Sequence, residues 1–116
     1  MEDLFKTLSR IVAESQVVID RPKGSTHPRY PDYTYPLDYG YLEGTLSQDG
    51  GGIDVWLGRG DQKTITGILV IADALKKDSE IKVLLGCDES EMQQALEKSN
   101  QGDMSAALIR KESHEV

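Results

Sequence analysis

YPLDYGYLEGTLSQDGGGIDVWL, residues 35–57, is the stretch of the chain that decides its fold. Aromatic and apolar side chains over residues 39–47 and 53–57 predict two strands, and the glycines between them predict a turn. Asp49 comes just before these glycines and Asp54 follows five residues later. Because a hairpin brings the ends of its strands together, we expect both carboxylates at one rim of the molecule.

Asp54 is unusual within its predicted strand. It alternates with Ile53 and Val55, so its side chain should face away from that apolar pair. Strands disfavour aspartate, and a carboxylate that is buried alone costs stability. We therefore expect Asp54 to have a cation as its partner.

The rest of the chain adds short strands and two helices. Apolar spacing over residues 2–14 predicts an amphipathic helix, and a second helix is predicted from Asp88 or Ser90 to about Gly102. The further predicted strands are residues 16–20, 64–72, 80–85 and 106–110. Neighbouring strands are linked too tightly for crossovers, so we expect a small closed barrel of five or six strands. Residues 112–116 should form a frayed tail.

Length and charge narrow the functional classes. The 116 residues predict a single domain, 1–116, and no apolar run approaches the roughly 18 residues of a membrane span. The net charge of −7 argues against a surface for nucleic acid or an anionic membrane. A single cysteine, Cys87, excludes an internal disulfide and fits a reducing cytoplasm.

The basic side chains ahead of the predicted hairpin are concentrated in one segment. Between residues 11 and 58 the only lysines and arginines are Arg21, Lys23 and Arg29. All four prolines and all five tyrosines fall between residues 22 and 41, which predicts extended, irregular backbone at the proline-rich start of this segment. The three cations are suited to hold a phosphate, and the phenols of Tyr35 or Tyr39 could donate further hydrogen bonds.

A second pair of carboxylates, Asp73 and Asp78, repeats the five-residue spacing of the first. Mg²⁺ binds a few carboxylates together with phosphate oxygens, so the four aspartates and the upstream cations indicate a Mg²⁺-phosphate site. Each feature also has a structural explanation. Asp49 suits a turn, Asp78 a solvated loop, the tyrosines a packed core and Arg21 a surface ion pair.

Residues 35–57 resemble the centre of the soluble, Mg²⁺-dependent family I inorganic pyrophosphatases. That family carries a YP-x-x-YGY strand, a T-x-S-x-D turn and a D-x-D-P-x-D signature, and the likeness covers most of residues 17–85. The resemblance implies a mainly β (α+β) fold, a small five-stranded OB-like closed barrel with an N-terminal and a C-terminal helix. It further implies hydrolysis of pyrophosphate to phosphate by a metal-activated water in a cytoplasmic homo-oligomer.

The resemblance assigns roles residue by residue. Asp49 and Asp54 match metal ligands of the signature and are expected to be catalytic. Asp73 and Asp78 match the second metal-binding pair, which implies Mg²⁺ as the cofactor, with Mn²⁺ as a substitute. Arg29 matches a phosphate-binding lysine. The residues expected to bind substrate are Arg21, Lys23, Arg29, Tyr35 and Tyr39.

The sequence departs from the family at the proton acceptor. Gly51 stands where the signature has its middle aspartate, which in the family orients the nucleophilic water and takes its proton. Gly52 stands where the signature has proline. Asp38 and His27 are the two candidates to replace this base, and His27 has the pKa better suited to neutral pH.

Three functions stay open at this point. The first is a pyrophosphatase-type hydrolase of reduced or altered activity. The second is a hydrolase of another phosphorylated substrate, in which Arg21–Tyr30 (RPKGSTHPRY) forms a recognition loop. The third is a non-catalytic module that binds metal-pyrophosphate or a nucleotide and regulates a partner.

Overall fold

The computed structural model describes residues 1–112. It contains two helices, α1 (Glu2–Ala13) and α2 (Glu89–Lys98). The six strands are β1 (Gln16–Arg21), β2 (Asp38–Glu43), β3 (Ile53–Leu57), β4 (Ile65–Asp73), β5 (Asp78–Leu85) and β6 (Met104–Arg110). The predicted mainly β class with two helices is confirmed. Residues 113–116, most of the predicted tail, lie outside the described residues.

The six strands form one open sheet in the order β1-β2-β3-β5-β4-β6. Within residues 1–112, β1 pairs with β2 alone and β6 pairs with β4 alone, so the predicted closed five-stranded barrel is wrong. The prediction failed because it did not allow for the role of β4. This strand runs antiparallel to β5 in the same sheet and so returns the chain to the end of the sheet where β5 begins. This return lets β5 lie parallel to β3, with Val55 opposite Val83, without a helical crossover.

Each face of the sheet is covered by its own hydrophobic cluster. On one face α1 packs through Phe5 and Val12 against strand residues that include Leu42, Val55, Ile68 and Val83. On the other face α2 packs through Met92 and Ala95 against a cluster that includes Trp56, Leu69 and Leu84. We call these the α1 face and the α2 face. Neither helix among the described residues is long and apolar enough to cross a membrane.

The segment between β1 and β2, residues 22–36, completes the cover of the α2 face, and we call it the basic loop. It folds back on itself, because the N–H of Gly24 donates to the carbonyl of Tyr35 and the N–H of Tyr35 donates to Ser25, both at 2.9 Å. Tyr35 is buried and its ring centroid lies 5.9 Å from that of Trp56. The loop is therefore fastened to the sheet by a buried aromatic contact.

A close approach of β1 to β2 requires glycine at position 40. The register of this pair shifts between Ile19 and Arg21, and a Cβ built on Gly40 would lie 1.8 Å from the carbonyl oxygen of Val18. Backbone atoms at that distance cannot be relieved by a side-chain movement.

We expect Gly40→Ala to lower the free energy of unfolding by about 2 kcal/mol or more, because β1 must separate from β2 to admit the methyl group. The matched control is Gly51→Ala, whose Cβ would meet nothing closer than the Asp49 Oδ1 atom at 3.4 Å. Urea denaturation measures both variants. Equal midpoints for the two would contradict this account of the β1–β2 contact.

Candidate functional site

Tyr39 lies at the centre of a polar network on the α2 face. It sits on β2 opposite Trp56, and its hydroxyl accepts a hydrogen bond from the Lys82 ammonium at 2.7 Å. The Asp54 carboxylate on β3 lies close enough to this hydroxyl to raise the pKa of Tyr39, after burial. The Lys82 Nζ atom also lies 3.5 Å from a carboxylate oxygen of Glu80. One phenol thus links a lysine and an aspartate on neighbouring strands.

Asp54 is half-buried in this network. Burial raises its pKa above the ordinary value of 3.8, while the Lys82 ammonium and the Tyr39 hydrogen bond act in the opposite direction. Nearby Glu80 and Asp49 add to the rise in pKa because each places a second negative charge beside the first. The positive charge that lowers the pKa of Asp54 belongs to Lys82 of β5, which forms its ion pair with Glu80.

Arg21 and Tyr35 connect this network to the basic loop. Arg21 pairs with Tyr39 in the β1–β2 register, so its side chain shares the α2 face. Burial raises the pKa of Tyr35, and Arg21 opposes the rise through its charge and a hydrogen bond to the phenol. The Tyr35 and Tyr39 ring centroids are 5.4 Å apart. Two adjacent phenols thus lie between Arg21 of β1 and the carboxylate of Asp54.

His27 lies among cations in the basic loop. Burial, then the charges of Arg21, Arg29 and Lys76, lower its pKa from the ordinary value of 6.5, which favours the neutral ring. Its Nδ1 atom accepts the backbone N–H of Arg29 at 3.0 Å. A neutral imidazole that accepts at Nδ1 carries its proton on Nε2. His27 is thus arranged to donate a hydrogen bond to an anion.

Asp38 and Lys23 meet where the basic loop joins the sheet. The Oδ1 atom of Asp38 accepts the backbone N–H of Lys23 at 2.8 Å. Asp38 alternates with Tyr39 along β2, so its side chain starts from the opposite face of the sheet to Asp54. This position favours anchoring of the loop over proton transfer at the Tyr39 network. Lys23 itself is exposed at the edge of the loop.

Asp49 is held by its own turn. The Ser47 hydroxyl donates to its Oδ1 atom at 2.5 Å and the N–H of Gly51 donates to the same atom at 3.0 Å. These two hydrogen bonds lower the pKa of Asp49, and the charge of Lys76 lowers it further. Lys76 therefore lies close enough to influence both Asp49 and His27.

The remaining predicted ligands, Asp73 and Asp78, are paired at the end of the β4–β5 hairpin. Together with Asp49 they line a groove of about 530 Å³. Two further carboxylates, Glu80 and Asp103, line the same groove. The groove therefore gathers carboxylates from four segments of the chain.

The donor set of this groove has the chemistry that Mg²⁺ prefers, since carboxylate oxygens predominate. Within residues 1–112, however, no three histidine, cysteine, aspartate or glutamate side chains are grouped closely enough to hold one ion. Mg²⁺ is commonly bound by one or two carboxylates together with substrate phosphates. The residues fit an ion that arrives with a phosphate ligand better than a site built by protein alone.

Sequence reasoning did not single out Lys82, Glu80 or Lys76 as part of the site. The first two could have been found, because Glu80 and Lys82 alternate with Ile81 and Val83 and so share one face of β5. Lys76 comes near His27 through the fold of the β4–β5 turn, and no local pattern predicts that approach.

No family profile matches the sequence, and no curated protein matches it. Three chains of solved structures match it. One is an inorganic pyrophosphatase from Coxiella burnetii, with a TM-score of 0.48 and 15% identity over 79% of this chain and 81% of that chain.

We expect Asp54→Asn to flatten the pH dependence of stability. A carboxyl group whose pKa is higher in the folded than in the unfolded state loses stabilisation as pH rises, here from about 3.8 upward. The wild type should therefore lose more free energy of unfolding than Asp54→Asn between roughly pH 4 and pH 7. Chemical denaturation at the two pH values measures this difference.

Asp32→Asn is the matched control, since it removes the same charge from an exposed residue of the basic loop. It should keep the wild-type difference between the two pH values. An Asp54→Asn protein with the same pH dependence as the wild type would show that burial does not act on Asp54 as described.

Proposed function

We propose that this protein is a Mg²⁺-dependent hydrolase of phosphoanhydrides, of the inorganic pyrophosphatase type, that converts pyrophosphate to phosphate. The observation that carries the proposal is one continuous arrangement on the α2 face. The charge of Arg21 acts on Tyr35, Tyr35 packs against Tyr39, and the charge of Asp54 acts on Tyr39. Cations that suit phosphate and carboxylates that suit Mg²⁺ thereby lie on either side of two phenols.

The proposed metal ligands are Asp49 and Asp54, with Asp73 and Asp78 nearby. Bound Mg²⁺, or Mn²⁺ in its place, supplies neutralisation of phosphate charge and a lower pKa for water. The Tyr39 hydrogen bond and the Lys82 charge favour the ionised form of Asp54 that a cation requires. The turn hydrogen bonds have the same effect on Asp49.

The proposed phosphate-binding groups are the side chains of Arg21, Lys23 and Arg29. His27 joins them as a neutral donor through Nε2–H. Charge-assisted hydrogen bonds from arginine to phosphate are the strongest polar contacts available here. Tyr35 and Tyr39 line the boundary between these donors and the carboxylates.

No side chain occupies the position of the signature's middle carboxylate, because residue 51 is glycine. Asp38 starts from the opposite face, and the Nδ1 atom of His27 is engaged by Arg29. The proposed hydrolase therefore works without a dedicated general base. Loss of such a base typically costs about 10²- to 10⁴-fold in rate, so we propose slow turnover.

The proposal extends to the class of substrate, the cellular compartment and the oligomeric state of the protein. The substrate is a small phosphate-containing molecule, since a net charge of −7 opposes binding of nucleic acid. We propose a cytoplasmic protein that forms a homo-oligomer. The raised pKa of the Cys87 thiol, about 12, arises from burial and then from Glu91, and it suits a structural thiol with no catalytic part.

We expect Gly51→Asp to raise the rate of Mg²⁺-dependent phosphate release from pyrophosphate, because it restores a carboxylate beside the proposed metal ligands. The substitution has room, since Gly51 has no positive φ and its Cβ meets only Asp49 Oδ1 at 3.4 Å. Gly52 should stay unchanged, because a Cβ there lies 2.9 Å from the carbonyl oxygen of Leu42. Gly51→Asn is the control, and an equal increase with Asn would exclude a proton acceptor at position 51.

We expect Arg29→Ala to weaken pyrophosphate binding about tenfold or more, because a charge-assisted hydrogen bond is worth about 1.5–3 kcal/mol. Calorimetry in the presence of Mg²⁺ measures the affinity. Arg10→Ala removes the same charge from α1, where Arg10 pairs with Glu14, and should leave binding unchanged. Equal affinities for the wild type and Arg29→Ala would remove Arg29 from the site.

A non-catalytic module that binds metal-pyrophosphate is the second candidate, and the glycine at position 51 is the observation that favours it. The same assays separate the two functions. Phosphate release by the wild type supports the hydrolase. Tight binding without release by the wild type or Gly51→Asp supports the module.

A further inference from the structure

The tip of the basic loop presents an aromatic ring to solvent. Tyr30 is 62% exposed, whereas the other four tyrosines are buried or half-buried. Backbone hydrogen bonds hold the tip, with His27 N–H donating to the Tyr33 carbonyl and Tyr33 N–H donating to the Tyr30 carbonyl, both at 2.9 Å. Pro28 and Pro31 restrict the backbone on either side. The exposed ring is therefore presented by a pre-organised loop.

Tyr30 begins a continuous row of rings that ends in the core. Its centroid lies 4.9 Å from that of His27, and His27 stacks on Tyr35 at 6.5 Å with an interplanar angle of 12°. Tyr35 packs on Trp56 beneath it. Packing fully explains the inner rings of this row, but it leaves the outer ring with an uncovered aromatic surface.

Positive charge surrounds this row at His27. The charged groups that act on the imidazole are Arg21, Arg29 and Lys76, which we call the cationic cluster. These cations are concentrated in one place in a chain of net charge −7, and such a local positive potential suits an anionic ligand. An exposed ring next to a cationic cluster is complementary to a ligand with a flat ring at one end and phosphates at the other.

We propose that Tyr30 and His27 form a platform for a nucleobase, and that the substrate of this site is a nucleoside diphosphate whose phosphates reach the cationic cluster. This inference rests on the proposed hydrolysis of phosphoanhydrides and assigns to it a nucleoside diphosphate, in preference to inorganic pyrophosphate, as the substrate. Inorganic pyrophosphate has no group that could use the Tyr30 ring. A longer nucleic acid is disfavoured by the net charge of −7.

The reaction that follows is hydrolysis of the terminal phosphoanhydride. The oxygen of water forms a bond to the terminal phosphorus while the bond from that phosphorus to the bridging oxygen breaks. The products are the nucleoside monophosphate, orthophosphate and one proton, so no further reactant is needed. A phosphoryl transfer from a nucleoside triphosphate leaves a nucleoside diphosphate as its product. The reaction proposed here removes that product.

The test compares Mg²⁺–ADP with Mg²⁺–pyrophosphate on four proteins: wild type, Tyr30→Ala, Tyr30→Phe and Leu46→Ala. Stacking of a base on an aromatic ring corresponds to roughly a five- to hundredfold effect on binding. Tyr30→Ala should weaken ADP binding to that extent, measured by calorimetry and as KM for phosphate release. Tyr30→Phe keeps the ring and should keep the affinity.

Leu46→Ala controls for the loss of exposed apolar surface, since Leu46 is 78% exposed in a different loop. Neither it nor Tyr30→Ala should alter pyrophosphate binding by more than about twofold. Unchanged ADP binding in Tyr30→Ala, or equal losses for ADP and pyrophosphate, would overturn the inference. Pyrophosphate hydrolysis without ADP binding would overturn it while leaving the proposed function intact. ADP binding that depends on Tyr30 without phosphate release from ADP would overturn ADP as the substrate, and phosphate release from pyrophosphate by the same protein would leave the proposed function intact.

Discussion

The hydrogen bond that the hydroxyl of Tyr39 accepts from Lys82, beside the carboxylate of Asp54, is the interaction on which the rest of the site depends. Its ring packs at 4.6 Å from Trp56 and at 5.4 Å from Tyr35, and Tyr35 fastens the basic loop to the sheet. One residue therefore connects the hydrophobic cluster of the α2 face, the loop cations and the carboxylates. Without this connection the cations and the carboxylates would be unrelated features of two separate segments.

This arrangement costs stability, and that cost favours a functional explanation. A half-buried aspartate with a raised pKa destabilises the folded protein at neutral pH, and an apolar residue on the same face would avoid the loss. Lys82 is also largely buried, so its ammonium loses hydration while its ion pair with Glu80 returns part of that free energy. Polar networks of this kind are expected where a ligand, when it binds, supplies the missing charge.

Local sequence patterns predicted the elements better than their arrangement. The strand at residues 53–57 and the helix near residues 2–14 agree with β3 and α1, because apolar periodicity and glycine punctuation are local signals. The closed barrel was wrong because strand order depends on long-range pairing, here of β6 with β4. The sequence predicts a cation beside Asp54, and the parallel pairing of β3 with β5 brings the charge of Lys82 near it.

The central claim is that cations and carboxylates form one site, and linkage between metal and diphosphate tests it most directly. Calorimetry with methylenediphosphonate, which is not hydrolysed at this bond, measures Mg²⁺ affinity with and without the anion, corrected for their association in solution. The account predicts that each ligand raises the affinity of the other by about fivefold or more, and equally in both directions. It also predicts that Asp54→Asn abolishes this linkage. Independent binding of the two ligands would contradict the account.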